Sequence, residues 1–369
     1  MKSKNELTLI SIFSGAMGLD LGLEKAGFNT RIAIDINKSA CATIRKNRPE
    51  LPLIEGDINR ITSQEILDKA GLQKGEVTLL AGGSPCQSFS TAGRRRAFDD
   101  IRGKVLLRFI ELVEEIQPEY FLLENVRGIL NARIRNRPLS ERGEEYSDLE
   151  EDEQSGSVLK YILGRFEEIG YKVNYGLLNS ANYGVPQTRE RVAFIGCKKD
   201  SKVSLPEATH FKNPLVGQNP WKTFNDIVKE LDGIKHTYRP YGADRMKYMQ
   251  LIPKGGGNWR NLPNEVVIEA MGKAYYSGGG KVGFFRRVRL DKPSPTLLTS
   301  PTHKSTNLGH PLEDRPLSVE EYRAIQEFPE DWILSGGTAE QYKQIGNAVP
   351  AGMAYHLGCS IIKHINQNE

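Results

Sequence analysis

The sequence predicts an α/β protein with an open, mostly parallel sheet and a second, smaller domain that is irregular and β-rich. Two observations carry this prediction. Over the first ~200 residues, short apolar runs of strand length alternate with amphipathic stretches of helical period, which is the pattern of βαβ units. After about Lys198 the alternation stops, and the chain is rich in Gly, Pro, Asn and aromatic residues until about Pro316.

Each element is predicted from its own pattern. The apolar runs predict strands over Leu7–Phe13, Arg31–Ile34, Val77–Ala81 and Tyr120–Leu123, and an antiparallel edge from Tyr171–Leu178 and Arg191–Cys197. Amphipathic stretches predict helices over Leu19–Ala26, Lys38–Asn47, Thr62–Ala70 and Lys104–Ile116. Ser318-x-x-Glu321 and Thr338-x-x-Gln341 have capping-box spacing, and each is expected to begin a helix.

The domain boundaries follow from these elements. A last helix, over about Ala351–Asn366, has an apolar face and is expected to return to the first domain. We therefore expect one domain over 1–205 plus 342–369 and a second over 206–341. Within the first domain, Asn131–Ser157 joins three arginines to an acidic run, which predicts a solvated surface insertion; a segment that binds a partner is the alternative.

Composition excludes several classes of protein. The 369 residues have a net charge of +4 and a mean hydropathy of −0.46, values typical of a soluble globular protein. No apolar run approaches the ~18 residues of a membrane span, and the first residues lack a signal-peptide core. The four cysteines are far apart and form no CxxC pair, so neither a zinc ribbon nor a disulfide scaffold is indicated. We expect an intracellular protein.

Glycines and acids at successive strand ends indicate a nucleoside site. The first strand ends in Phe13-Ser-Gly-Ala-Met-Gly18, Asp35 ends the second strand, and Asp57 follows the third. The carboxyl ends of parallel strands form the crevice where such sheets bind nucleosides, and an acid there can accept hydrogen bonds from a ribose. A Gly-x-Gly-x-x-Gly turn is absent, which favours a cofactor without a pyrophosphate.

Three further motifs carry reactive or charged groups. Cys86 lies in the loop Gly82-Gly-Ser-Pro-Cys-Gln-Ser-Phe-Ser90, where nearby basic residues would favour a thiolate; taken alone it would be an inert buried thiol. Glu124 ends the next strand and could hydrogen-bond a flat heterocycle; the alternatives are a helix cap or an ion pair. Arg189 and Arg191 are two residues apart in a strand and are expected to share one face, either to bind an anion or to pair with Glu190.

In this order the motifs resemble the bacterial C5-cytosine-specific DNA methyltransferases. The resemblance rests on Phe-x-Gly, an acid, Gly-Asp-Ile, Pro-Cys-Gln, Glu-Asn-Val, Gln-x-Arg-x-Arg and, near the end, Gln344-Ile-Gly-Asn-Ala348. Met17 stands where the family often has glycine, and Asp35 stands where glutamate is commoner. The resemblance implies a Rossmann-like methyltransferase fold, a variable target-recognition domain, S-adenosylmethionine as cofactor, S-adenosylhomocysteine as product, and no metal.

The resemblance also assigns roles to residues. It implies catalysis by Cys86, Glu124, Arg189 and Arg191, through a covalent bond from Cys86 to C6 of a cytosine flipped out of the duplex. The implied cofactor contacts are Phe13, Gly15, Gly18, Asp35, Ile36, Asp57, Ile58, Pro85, Asn347 and Ala348. The expected DNA contacts are Gln87, Ser90, Arg94, Arg95, Arg96, Arg286, Arg287 and Arg289.

The expected partner is double-stranded DNA at a specific sequence. A restriction endonuclease would act on the same site without binding this chain, which is expected to be a monomer in the bacterial cytoplasm, at the nucleoid through DNA. A tRNA methyltransferase of the same family and a catalytically inactive DNA-binding regulator remain alternatives. The missing phosphate fingerprint disfavours a dinucleotide oxidoreductase.

Overall fold

The computed structural model describes residues 6–83, 101–143, 145–279 and 281–368. The strands in these ranges are β1 (Thr8–Ile12), β2 (Asn29–Asp35), β3 (Leu53–Glu55), β4 (Leu79–Gly83), β5 (Tyr120–Val126), β6 (Lys172–Asn179), β7 (Gln187–Thr188), β8 (Glu190–Cys197), β9 (His210–Phe211), β10 (Asn219–Pro220) and β11 (Ser294–Pro295). Seven of them form one sheet in the order β3-β2-β1-β4-β5-β8-β6. The strands β7 and β11 pair with each other, as do β9 and β10.

The large sheet is parallel apart from one strand. β1 pairs in parallel with β2 and β4, β2 with β3, and β4 with β5. β8 is antiparallel to both β5 and β6, so β6 has the direction of β5. The predicted mostly parallel sheet and its antiparallel edge are confirmed. The sequence pattern did not show that β8 would lie between β5 and β6, although β6 comes first in the chain.

The helices in the described ranges are α1 (Gly18–Ala26), α2 (Lys38–Asn47), α3 (Ser63–Ala70), α4 (Ile101–Ile116), α5 (Ser157–Glu168), α6 (Phe224–Glu230), α7 (Ala243–Met249), α8 (Asn264–Met271), α9 (Val319–Ile325), α10 (Thr338–Asn347) and α11 (Ala351–Gln367). None of these helices is both long and apolar enough to cross a bilayer. The capping box of Ser318 and Glu321 is confirmed. The one predicted at Thr338 is wrong: Gly337 is the N-cap and Thr338 already lies inside α10, so its side chain is one position too late to cap.

Two apolar layers cover the faces of the sheet. Neighbouring residues of a strand point to opposite faces, and in β1 Leu9 packs into one layer while Ile10 packs into the other. One layer contains residues of α3, α4 and α5, and the other contains residues of α1 and α11. The first part of the chain therefore builds a doubly covered α/β sheet.

The last helix returns to the first, as the sequence predicts. α1 and α11 approach closely because glycines replace side chains at their contact. A Cβ atom on Gly22 would lie 2.2 Å from the carbonyl oxygen of Ala351, and one on Gly358 would lie 2.7 Å from the Cβ of Ala26. The end of the chain is thus part of the wall behind the loop that follows β1.

The region between Lys198 and Pro316 is irregular, as expected, but its regular elements are short helices more than strands. β9, β10 and β11 have two residues each, whereas α6, α7 and α8 have seven or eight. Part of this region has its own apolar core, which includes Tyr241, Met249, Ile252, Leu262 and Phe285. A separate cluster joins Phe224, Leu297 and Tyr322 to Ala16 and Met17 of the first part.

The charged segment 131–157 forms several ion pairs within itself. Arg137 pairs with Glu153 at 2.5 Å, and both side chains are largely buried. Arg135 pairs with Glu150 and Asp152. At its start, Leu130, Ala132 and Ile134 pack against the core. The segment is an insertion tied to the domain by ion pairs and apolar contacts.

The buried side chain of Arg287 connects several backbone segments of the second region. Its side chain is fully buried, and its five N–H donors all have acceptors. Nε donates to the carbonyl of Ile252 at 3.1 Å, and the two terminal nitrogens donate to the carbonyls of His310, Glu313 and Met249 and to the carboxylate of Asp314. The prediction that Arg287 contacts DNA is therefore corrected, because this guanidinium is enclosed by its own chain.

We expect Arg287→Met to lower the free energy of unfolding by about 3–5 kcal/mol, because the substitution leaves several buried acceptors and one carboxylate without a partner. Urea denaturation followed by circular dichroism measures this difference. The matched control is Arg289→Met, two residues on, where the exposed guanidinium pairs with the exposed Asp291. The control should unfold like the wild type, and equal stability of both variants would contradict the structural role of Arg287.

Candidate active site

The strand ends bring the predicted site residues to one edge of the sheet. Ile12 is in register with Ile34 of β2 and with Gly82 of β4, and Gly83 is in register with Glu124 of β5. Since these four strands are parallel, the segments that follow them emerge side by side.

The loop after β1 has an unusual backbone that Asp35 holds in place. Phe13, Gly15 and Met17 all have positive φ, of 56°, 55° and 68°. The carboxylate of Asp35 accepts the N–H of Gly15 at 2.8 Å with one oxygen and the N–H of Asn37 at 2.7 Å with the other. Burial raises the pKa of this carboxyl, while the two N–H groups lower it. The two residues that the sequence places twenty positions apart are in direct contact.

Gly18 serves close packing in this structure. A Cβ atom there would lie 2.5 Å from the carbonyl oxygen of Val349 and 2.9 Å from the Cβ of Ala348. The segment at the end of α10 therefore lies against the first turn of α1. Asn347 is exposed beside it and Ala348 is half-buried. The structure thus brings the Asn347–Ala348 pair, predicted from the end of the chain, next to the loop after β1.

The residues after β2 and β3 divide between surface and core. Ile36 is 66% exposed although it is apolar. Asp57 caps a short 3₁₀ turn by accepting the N–H of Asn59 at 3.1 Å, which is the structural role that a strand-end acid often has. The side chain of Ile58 is buried in the apolar core, so only its backbone is available to a ligand.

The residues at this edge fit a nucleoside cofactor that carries an amino acid. Nothing lies within 4 Å of a Cβ built on Gly15, so the loop backbone faces open space. The first-turn N–H groups of α1 have no intrahelical acceptor and can bind a carboxylate. Asp35 keeps lone pairs for ribose hydroxyls, and the exposed face of Ile36 suits a flat base.

Glu124 and Arg191 form an ion pair at the carboxyl ends of the parallel strands. Nε of Arg191 lies 2.7 Å from Oε1 of Glu124, and both side chains are nearly buried. The other oxygen of Glu124 faces Gly83, where an added Cβ would be 3.0 Å away. β4 therefore ends beside this carboxylate, three residues before Cys86. Cys86 itself, with Pro85, Gln87, Ser90, Arg94, Arg95 and Arg96, lies outside the described residues.

Comparison with known proteins agrees with this geometry. The model of the family "C-5 cytosine-specific DNA methylase" matches residues 7–363. The chain belongs to this family. It is 38% identical to the type II methyltransferase M.Sau96I of Staphylococcus aureus, over 100% of this chain and 78% of that protein. It is 36% identical to M.PspPI of a Psychrobacter strain, over 97% and 80% of the two chains.

Solved structures confirm the predicted fold. A DNA modification methyltransferase encoded within a prophage of E. coli superposes with a TM-score of 0.66 and 22% identity, over 98% of this chain and all of that chain. Dnmt2 methyltransferase of S. pombe superposes with a TM-score of 0.60 and 16% identity, over 98% and 99%. The prediction of a cytosine-5 DNA methyltransferase that uses S-adenosylmethionine is confirmed at the level of the family.

Within this methylase the two arginines of the Gln-x-Arg-x-Arg motif have different surroundings. Arg191 contacts Glu124, whereas Arg189 lies between β7 and β8 and is 2% exposed. One terminal nitrogen of Arg189 donates to the carbonyls of Leu297, at 3.2 Å, and Gly346, at 3.1 Å. The motif predicts a catalytic role for both arginines, whereas their contacts in the structure differ.

Gln187, the first residue of the Gln-x-Arg-x-Arg motif, has no role predicted from the sequence, yet it connects its own strand to two other segments of the chain. Its amide oxygen accepts the N–H of Leu297 at 2.9 Å, and its amide nitrogen donates to Gln326 at 2.9 Å. Gln326 in turn donates to the carbonyls of Ile345 and Ala348. With Arg189, these amides fix the segment after β11 and the end of α10 against the catalytic edge. Periodicity gives no signal for such a buried polar cluster.

The remaining predicted DNA contacts differ in exposure. Arg286 is half-buried, and its Nε lies 3.4 Å from the carbonyl of Asn307. Burial lowers the pKa of its guanidinium. Arg289 is exposed and pairs with Asp291 at 2.7 Å. Of the three arginines, Arg289 is the exposed one, and two of its guanidinium nitrogens donate to Asp291.

We expect Asp35→Ala to weaken S-adenosylmethionine binding by about 1–3 kcal/mol, because the ribose loses an acceptor and the N–H of Gly15 loses the contact that shapes the loop. Titration calorimetry measures the change, and Asp68→Ala, on the exposed side of α3, is the control. Unchanged affinity of the Asp35 variant would show that the ribose is held by other groups.

Proposed function

We propose that this methylase is the modification enzyme of a type II restriction-modification system, and that it methylates C5 of one cytosine within a specific duplex sequence. Its support is the relatives matched along their length, which are named type II methyltransferases. The observation that carries the chemistry is the Glu124–Arg191 pair beside the end of β4, the strand that leads to Cys86.

The proposed nucleophile is the Cys86 thiolate. It adds to C6 of the flipped cytosine, and the electron pair of the broken C5–C6 π bond makes C5 nucleophilic. Bound S-adenosylmethionine supplies an activated methyl group for C5. Loss of the C5 proton returns an electron pair to the ring and expels the thiolate of Cys86, so the enzyme is regenerated. The segment from Ser88 to Lys104 is predicted to cover the site; its part up to Asp100 lies outside the described residues, and from Ile101 it forms the start of α4.

Glu124 and Arg191 are proposed to hold and polarise the cytosine. The carboxyl group of Glu124 would hydrogen-bond or protonate N3, which stabilises the charge that develops when Cys86 adds. Arg191 fixes this carboxylate through the 2.7 Å contact and prevents it from rotating away. We assign Arg189 to positioning, because one of its terminal nitrogens donates to backbone carbonyls of two other segments.

The proposed cofactor contacts follow the edge of the sheet. Asp35 would accept hydrogen bonds from the ribose, Ile36 would pack on the adenine, and Asp57 would accept from the adenine amino group. The loop Phe13–Gly18 would enclose the methionine end, with Asn347 and Ala348 across from it; Pro85, outside the described residues, stays a predicted contact. The exposure of Ile36 and the open space at Gly15 support this arrangement.

We further propose that sequence recognition belongs to 206–341 and that 1–205 with 342–369 is catalytic. The separate core around Tyr241, Met249 and Phe285 supports a recognition unit, and the mixed cluster around Leu297 and Tyr322 would be its joint to the catalytic part. Arg289 and Arg286 remain proposed DNA contacts. The Arg287→Met and Arg289→Met pair bears on this assignment too, since only the second variant should weaken DNA binding without loss of stability.

The relatives do not favour the alternatives of a tRNA methyltransferase or an inactive regulator, since their names are those of type II methyltransferases. Action on duplex DNA, a location at the nucleoid, a monomeric state and a cognate endonuclease that acts separately stay predictions.

The direct test is bisulfite sequencing of plasmid DNA from cells that express the wild type or Cys86→Ser. Wild-type plasmid should show protected cytosines in one sequence context, whereas the serine variant should show none, because a hydroxyl ionises far less readily than a thiol. Duplex DNA with 5-fluorocytosine at that site should form a covalent adduct with the wild type only, since fluorine blocks the final elimination. An adduct with the serine variant would contradict the role of Cys86.

We expect Arg191→Lys and Arg189→Lys to fail in different ways. The first should lower kcat by on the order of 10²-fold, with unchanged stability, because an ammonium cannot reproduce the guanidinium contact with Glu124. The second should lower the free energy of unfolding by about 1–3 kcal/mol, because the carbonyls of Leu297 and Gly346 lose a donor. Single-turnover methylation and urea denaturation separate these effects. If Arg189→Lys were stable and inactive, the two assignments would have to be exchanged.

A further inference from the structure

Asp20 is a buried acid that the proposed mechanism leaves unused. It is the third residue of α1, directly after the loop that encloses the proposed methionine end of the cofactor, and it is 1% exposed. Neither carboxylate oxygen has a hydrogen bond of standard geometry. The hydroxyl of Ser11 and the backbone N–H of Asp20 itself are the polar groups that interact with it, and that hydroxyl lies 2.8 Å from the hydroxyl of Ser14, inside the loop.

The charges around Asp20 have the same sign as its own. Glu24, one turn along α1, and Asp35, at the end of β2, are the charged groups that act on it. Glu24 already has a cationic partner, Arg48, at 3.1 Å. α11 packs on the face of α1 that carries Gly22, which is opposite to Asp20, so its residues do not bear on this carboxyl. The charged groups that act most strongly on Asp20 include no cation.

Keeping an acid in such a place destabilises the folded protein. Burial raises the pKa of Asp20 to about 7; the hydroxyl of Ser11 and the N–H of Asp20 lower it, while the charges of Glu24 and Asp35 raise it further. A carboxyl whose pKa is raised on folding stabilises the protein most below its ordinary pKa of 3.8, and that stabilisation is lost as the pH rises towards 7. At pH 8 the ionised Asp20 is therefore a net cost to the apoprotein, and a cation that arrives with a ligand would relieve it.

The two ligands of this site differ by one such cation. S-adenosylmethionine carries a sulfonium, whereas the sulfur of the product S-adenosylhomocysteine is neutral; the ribose, base and amino acid are the same. We propose that Asp20 is the buried counter-charge of the sulfonium, a positioning residue that makes the site prefer the charged cofactor over its product. This inference rests on the proposed cofactor site, and it deepens that assignment.

The mechanism is electrostatic and needs no direct contact. In the apoprotein near neutral pH, Asp20 is partly protonated. Binding of the sulfonium favours the carboxylate, so S-adenosylmethionine releases a proton from the enzyme and binds more tightly as the pH rises through 7. After methyl transfer the sulfur is neutral, the proton returns, and the product is held less tightly. Asp35 faces the ribose of both ligands, so its titration cancels in the ratio of their affinities.

The test is titration calorimetry of both ligands at pH 6 and pH 8 on the full-length protein. For the wild type, the ratio of the dissociation constants of S-adenosylhomocysteine and S-adenosylmethionine should increase several-fold from pH 6 to pH 8. The increase is at most about tenfold for each pH unit by which S-adenosylmethionine lowers the pKa of Asp20. Asp20→Asn should have a smaller preference that does not vary with pH. Glu24→Gln, one turn away on α1, is the control and should keep the pH dependence.

Stability distinguishes a counter-charge from a structural aspartate. Asp20→Asn should raise the melting temperature of the apoprotein at pH 8 and change it little near pH 4, whereas loss of a structural hydrogen bond would lower it at both. If Asp20→Asn is less stable than the wild type at pH 8, or fails to fold, a second measurement on the wild type decides. Calorimetry in two buffers of different ionisation enthalpy measures the protons released on binding. Release with S-adenosylmethionine but not with its product would support the proposal, and no difference between the two ligands would overturn it.

The remaining outcomes separate this proposal from the cofactor assignment. A wild-type preference that is independent of pH, or a pH dependence that survives in Asp20→Asn, would overturn the role of Asp20 while both ligands still bind. If neither ligand bound, the cofactor assignment itself would be wrong and this proposal with it.

Discussion

The register of four parallel strands is the constraint on which the site depends. Because Ile12, Ile34 and Gly82 lie opposite one another, and Gly83 lies opposite Glu124, the segments that follow β1, β2, β4 and β5 leave the sheet at one level. A shift of one residue in any strand would turn its side chains to the other face. Apolar packing prevents this, because β1, β4 and β5 have core residues in both layers, and β2 packs into one layer and into the cluster around Ala16 and Met17. Packing of the sheet thus sets the geometry of the catalytic edge.

The end of the chain reaches the same strand ends through close backbone packing at glycines. Gly18, Gly22 and Gly358 let the loop after α10 and the helix α11 approach α1 at backbone distance, so Asn347 and Ala348 reach the loop after β1 from about 330 residues away in sequence. The amides of Gln187 and Gln326 and the guanidinium of Arg189 then tie the same loop to the segment after β11. Buried polar groups of this kind specify one arrangement, since each lost contact leaves a carbonyl unpaired.

Sequence patterns predicted the parts of the fold that depend on local regularity. The strands and helices of the first 200 residues have strong periods, and Ser318 has a capping partner three residues on, so these predictions agree with the structure. The position of β8 between β5 and β6 is a matter of pairing, which no local pattern encodes. Thr338 has the same spacing as Ser318 but is the first residue of its helix, because Gly337 takes the N-cap position. Short motifs located the strand ends of the site well, since each follows a predicted strand.

The arginines and acids show why the role of each charged residue could not be predicted from the sequence. Arg189, Arg191, Arg287 and Arg289 are one residue type in basic motifs, yet one contacts Glu124, two donate to buried carbonyls and one faces solvent. For Asp20 the sequence suggests an ordinary structural role, since an acid in the first turn of a helix is stabilised by the helix dipole. Its burial beside Ser11 and near other acids shows that the dipole alone does not account for a carboxylate at this position. Residue type and spacing define which chemistry is available, and burial decides which residues can take part in it.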